Sequence, residues 1–65
     1  MTPEEILERA KELEAQAIKE YQEMKKKADP VTSELLDYLI SQEREHIRMI
    51  DDRLKALKLL SGREK

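Results

Sequence analysis

Apolar residues return along this chain with the period of an α-helix, in two blocks. In the first, Ile6, Ala10, Leu13, Ala17, Tyr21, Met24 and Ala28 recur at steps of three and four, widened on one side by Leu7 and Ile18. In the second, Leu36, Ile40, Ile47, Ile50, Leu54 and Leu57 form one stripe at the same period. Such spacing lays one apolar face along a helix and leaves Glu, Lys and Arg on the other. Thr2-Pro3-Glu4-Glu5 starts the first helix, with Thr2 as its cap, Pro3 at its first position and Glu5 placed for a capping box. Asp29-Pro30 interrupts the pattern. Pro30 disfavours helix at Asp29, and Asp29 can then cap the next helix. Ser61-Gly62 offers a natural end to that helix, and Arg63-Glu64-Lys65 reads as a frayed end. The pattern predicts a first helix over about 3–28, a turn over about 29–31 and a second helix over about 31–60. So short a connection folds the helices back on each other, making the chain one all-α antiparallel hairpin.

Composition narrows what such a hairpin can do. A chain of 65 residues buries little surface and generally needs a disulfide, a metal or a partner chain. It has no Cys, which excludes disulfides, thiolate metal sites and iron–sulfur clusters and fits a cytoplasmic location. Charged residues make up 43% and the net charge is -2, a balance that argues against a nucleic-acid surface. No apolar run reaches the roughly 20 residues of a membrane span. Lys25, Lys26 and Lys27 read as a solvated helix end, where cations are favoured.

Glu43 does not belong to that solvated surface. It falls in the middle of the second apolar stripe, between Ile40 and Ile47, with His46 one turn on at the border of the same stripe. An unpartnered buried charge is costly, so a carboxylate in a seam implies a partner. Glu14 is the matching acid of the first helix, set beside Ala10, Ala17 and Tyr21. At about 1.5 Å per residue, Glu14 and Glu43 both sit roughly 21–23 Å from the turn. Two inward carboxylates and an imidazole in one layer are what a helical bundle offers a metal ion. Each residue also has a plainer reading. The Glu14 stem can cover apolar surface while its head reaches water, Glu43 can pair with Arg or Lys, His46 can be an interface histidine, and Tyr21 and Met24 can be core.

One hairpin supplies only two carboxylates and one imidazole, and it exposes a long apolar face. Two copies about a two-fold axis answer both needs. They form a four-helix bundle holding four Glu and two His, the ligand set of the di-iron carboxylate bundles. That set suits two Fe per subunit pair, with Mn or Zn possible in their place.

Glu14-x-x-Ala17-x-x-x-Tyr21 resembles the first-helix motif of the ferritin-like superfamily, as in rubrerythrins, and Glu43-Arg44-Glu45-His46 resembles its second-helix motif. The two-helix length, the Ala17-Ile18 pair and the motif separation are most similar to encapsulated ferritins. The resemblance covers about Leu13 to Leu54. It implies Glu14, Glu43 and His46 as iron ligands and Tyr21 hydrogen-bonded to a ligand carboxylate. Gln42 is a candidate for the same supporting role toward a histidine. It further implies a ferroxidase centre between subunits, and the encapsulated-ferritin likeness extends this to a larger ring within an encapsulin shell. The acids of the outer metal-entry site in that family are not matched, since Leu13 and Gln16 stand there, and no encapsulin cargo peptide follows Leu60. The expected activity is therefore oxidation of Fe(II) to Fe(III) by O₂ or peroxide, for iron storage or detoxification. Two alternatives stand beside it: rubrerythrin-like peroxide reduction with a separate electron donor, and a metal-free structural hairpin that dimerises.

Overall fold

The computed structural model describes the backbone of residues 1–62 and the side chains through Leu60. The residues read as a frayed end, 63–65, and the side chains at the Ser61-Gly62 helix end lie outside the described residues. Helix α1 spans Pro3–Lys25 and helix α2 spans Pro30–Gly62. They pack on each other as a hairpin about 54 Å long and 11 Å thick.

Local chemistry sets the helix ends. Glu5 N–H donates to Thr2 Oγ1 at 3.1 Å, and Thr2 N–H donates back to the Glu5 carboxylate at 2.8 Å, completing the capping box. Because the cap holds Glu5, Arg9 pairs with Glu12 at 3.5 Å. Helix α1 stops at Lys25, three residues before the last apolar residue of its stripe. Lys26, Lys27 and Ala28 donate backbone hydrogen bonds only three residues back, to Glu23, Met24 and Lys25. This tightening closes the last turn and frees Asp29. Asp29 then caps α2, accepting from Thr32 N–H on its carboxylate at 3.3 Å and from Ser33 N–H on its backbone carbonyl at 2.8 Å. The Thr32 side chain first, and then the Thr32 amide, hold the Asp29 carboxyl below the usual range.

The seam is thin. Among the described residues only Leu36, Ile40 and Leu54 are buried, at 7%, 5% and 5% exposure, and all three belong to the predicted α2 stripe. On α1 the predicted stripe divides. Leu7, Ala10, Ala17, Ile18, Tyr21 and Ala28 are half-buried, whereas Ile6, Leu13 and Met24 remain about half exposed. The reason is angular: at about 100° per residue, Ile6, Leu13 and Met24 lie roughly a quarter turn from the line facing α2. Two interhelical ion pairs, Lys11–Asp51 at 2.7 Å and Lys25–Asp37, fasten one flank of the seam. The other flank carries the exposed apolar residues. Among the described residues no helix is long and apolar enough to cross a membrane.

Candidate metal centre

Glu14 enters the seam because it lies one turn after Ala10 and one before Ala17 and Ile18, and the two alanines leave room for α2 to approach. Glu43 occupies the corresponding place on α2, with Ile40 before it and Ile47 after it. Both carboxylates are about three-quarters or more covered, with side-chain exposures of 26% for Glu14 and 19% for Glu43. His46 sits at the rim with 48% of its side chain exposed. Its Nδ1 lies 3.0 Å from Glu14 Oε2 and 3.3 Å from Glu43 Oε1. One ligand atom from each residue falls within 4.8 Å of the others.

The structure thus brings together the three residues that the pattern singled out, and it bears on the plainer readings of them. Among the described residues neither Glu14 nor Glu43 has a lysine or arginine within ion-pair distance. Arg48 is engaged by Glu45 and by Asp52. Two carboxylates therefore face each other with a single imidazole between them. Partial burial pushes the Glu43 carboxyl above its usual range, the Glu14 carboxyl beside it adds to the shift, and His46 opposes it. A cation at this point would relieve the repulsion that raises Glu43, and two oxygen donors with one nitrogen donor suit a divalent first-row metal. The donor set fits a metal on these grounds. Three donors leave coordination positions to fill. Among the described residues the hairpin encloses no cavity, so the cluster lies open on the flank that carries Ile6, Leu13 and Met24.

Tyr21 is half-buried two turns beyond Glu14, and Gln42 is exposed beside Glu43. Among the described residues no hydrogen bond joins either one to the three donors. The pairs Lys11–Asp51 and Lys25–Asp37 were not anticipated. Their signal is present in the sequence: Lys11 and Lys25 are separated on α1 by the same interval that separates Asp37 and Asp51 on α2. One antiparallel register therefore carries both. The hydrogen bond to Asp51, and then the charge of that carboxylate, raise the Lys11 ammonium above the usual range.

No solved structure matches this chain. A protein of Archaeoglobus fulgidus, described as uncharacterized, is 62% identical over 60 residues, which cover 92% of this chain and 95% of the relative. The family model for Rubrerythrin matches residues 5–64, a stretch that takes in both helices and all three donors. With that match across nearly its whole length, the chain belongs to the rubrerythrin family, within the ferritin-like superfamily.

Proposed function

We propose that two copies of this hairpin share a di-iron centre and that the pair works as a ferroxidase, oxidising Fe(II) to Fe(III). The observation that carries this reading is the meeting of Glu14, Glu43 and His46 within 4.8 Å on the open flank of the hairpin. Each copy gives two carboxylates and one imidazole, so a pair gives four and two, enough for two irons. Iron bound there supplies one-electron redox chemistry and leaves a coordination position for the oxidant. The chain's own residues do the rest. Glu14 and Glu43 bind Fe(II) as the substrate and neutralise its charge. His46, set by its contacts to both carboxylates, adds the nitrogen donor. Leu36, Ile40 and Leu54 keep water from the seam side and hold the two acids at one height. Each of two Fe(II) would give up one electron, and O₂ would take those two electrons and two protons to become H₂O₂. One subunit pair is thereby matched to one O₂.

Membership of the rubrerythrin family favours a second reading, in which peroxide is the substrate and the irons cycle. The chain has no Cys and so no built-in rubredoxin-type donor, and electrons would come from a separate protein. The deciding experiment is anaerobic Fe(II) titration of metal-free protein followed by air. The ferroxidase reading expects about one iron per chain, lost in Glu43→Ala, and then oxidation of many irons per chain. A single oxidation that stalls until an external reductant is added would favour peroxide reduction. Binding no better than in the Glu43→Ala control would remove both and leave a structural hairpin.

A further inference from the structure

No lysine or arginine reaches the two facing carboxylates, although one lysine stands in the same seam line. Half-buried residues of α1 include Leu7, Lys11, Glu14, Ile18, Tyr21 and Lys25, at the alternating four-and-three step of a helix laid along a single neighbour. Lys11 is thus one turn before Glu14 on the same line, and residues three apart on a helix are neighbours. Among the described residues Lys11 and Lys25 are half-buried, whereas every other lysine and arginine is exposed. Lys25 lies eleven residues beyond Glu14, about 16 Å along the helix axis. Arg44 follows Glu43 directly, but it is exposed and turned about 100° away. Lys11 is therefore the base positioned to enter the site.

Asp51 of α2 takes it instead. Lys11 Nζ lies 2.7 Å from an Asp51 carboxylate oxygen, with the two side chains 40% and 37% exposed. We propose that Asp51 is a positioning residue for metal binding: it holds the Lys11 ammonium away from Glu14 and balances its charge, so that Glu14 and Glu43 stay open to a divalent cation. This role presupposes the metal-site reading above and adds to it a residue outside the donor set. Without Asp51, the anionic neighbours left to Lys11 on its own helix are Glu8, exposed one turn toward the helix start, and Glu14 in the seam. Beside Glu8 the ammonium remains an unbalanced positive charge about one turn from the donors. Beside Glu14 it occupies a carboxylate that a metal would need. Loss of its proton offers no escape, because the hydrogen bond to Asp51 and then the charge of that carboxylate keep Lys11 cationic.

The plainer role of such an ion pair is to pin the helices together, and Lys25–Asp37 is the matched case. It joins the same two helices through the same residue types, fourteen residues along each helix from Lys11–Asp51, and it stands well away from Glu14. A pin acts through both partners, so losing Lys11, Asp51 or both would loosen the site alike. A charge held off the site acts with opposite signs. Removing Asp51 leaves a positive charge beside the donors, removing Lys11 leaves a negative one, and removing both leaves neither. The double variant therefore separates the two roles.

The test is titration of the metal-free protein with Zn(II), a redox-silent probe, in competition with a chromophoric chelator, each variant first checked for helical circular dichroism. Asp51→Asn should weaken Zn(II) binding roughly threefold to tenfold, the scale of one partly screened unit charge near a divalent ion. Lys11→Gln should bind Zn(II) as tightly as wild type or more tightly. Lys11→Gln combined with Asp51→Asn should return to within roughly twofold of wild type. Lys25→Gln and Asp37→Asn should lower the urea midpoint and leave Zn(II) affinity unchanged. Equal weakening in both single variants and in the double would overturn the proposal and leave Lys11–Asp51 a pin. Unaltered Zn(II) affinity in a helical Asp51→Asn protein would overturn it as well. Should Asp51→Asn fail to fold, Lys11→Gln still decides, because weakened binding there contradicts the proposal. Wild-type binding no better than that of Glu43→Ala would overturn the metal-site reading and this role with it, whereas wild-type binding with the wrong variant pattern overturns the role of Asp51 alone.

Discussion

Replacing Glu43 by Gln should stabilise this protein when no metal is present. The substitution keeps the shape and the hydrogen-bonding capacity of the side chain and removes one of two facing charges. The ligand atoms of Glu14 and Glu43 lie within 4.8 Å of each other, and both side chains are less than a third exposed. Two unit charges at that separation repel by about 1 kcal/mol in a water-like medium and by about 3 kcal/mol at an effective dielectric of about 20. His46 offsets part of this, so a gain of about 1 kcal/mol per chain is expected at neutral pH. The gain should also depend on pH in a defined direction. Folding raises the Glu43 carboxyl above its usual range, by burial and by Glu14. The folded state thus holds that proton more tightly than the unfolded chain. Its stabilising contribution is fully present below the unfolded carboxylate range and is lost as pH rises through the raised folded value.

The assay is urea unfolding of metal-free wild type and Glu43→Gln at several pH values between about 4 and 7. The difference should be largest near neutrality and should close on acidification, where protonation does for wild type what the substitution does permanently. Added Zn(II), as a redox-silent probe, should reverse the order, because only wild type keeps the full donor set and is stabilised by mass action. A variant that is less stable than wild type at neutral pH without metal would refute the reasoning. It would mean that the Glu43–His46 contact is a structural ion pair worth more than the carboxylate repulsion.

Two further outcomes follow from the seam. Ile40→Ala removes a side chain that is 5% exposed and adjacent to Glu43; it should cost about 2–4 kcal/mol, read as a fall in urea midpoint and, in so small a chain, as loss of helical circular dichroism at moderate temperature. The Asp29 carboxylate is held low by Thr32, so its capping contribution is present above the unfolded carboxylate range and lost as pH falls through the lower folded value. Asp29→Ala should lower the melting temperature at pH 7 and leave it nearly unchanged at pH 2 to 3, a pH dependence opposite in sign to that of Glu43.

The hairpin and its three donors were legible because each left a local mark. Thr2-Pro3-Glu4-Glu5 and Asp29-Pro30 carry their caps in the sequence, and an acid inside an apolar stripe is conspicuous at Glu43. The ends were less legible. Helix period alone does not distinguish Lys25 from Ala28 as the end of α1, because Ala28 continues the apolar stripe although Lys26, Lys27 and Ala28 donate only three residues back. The division of the α1 stripe was hidden for a similar reason. A broad apolar sector on one helix can serve two neighbours, and only the placement of α2 shows which part is spent on it. Leu7, Ile18 and Tyr21 face α2, and Ile6, Leu13 and Met24 are left over. Tyr21 and Gln42 were assigned supporting roles by likeness, and the single hairpin gives neither a bond to the donors.

A hairpin with three buried side chains among its described residues and a repulsive pair of carboxylates in its seam is badly placed to be stable alone. The proposed pair answers both deficits at once. In that pair a second copy would cover Ile6, Leu13 and Met24, and a cation among the four assembled carboxylates would turn their repulsion into attraction. Because neither the partner nor the metal binds the unfolded chain in this geometry, the free energy of each binding step is also free energy of folding. Assembly, metal affinity and stability should therefore rise and fall together across the Glu14–Glu43–His46 layer. Substitutions at the far ends of the helices, away from the axis, should change stability alone.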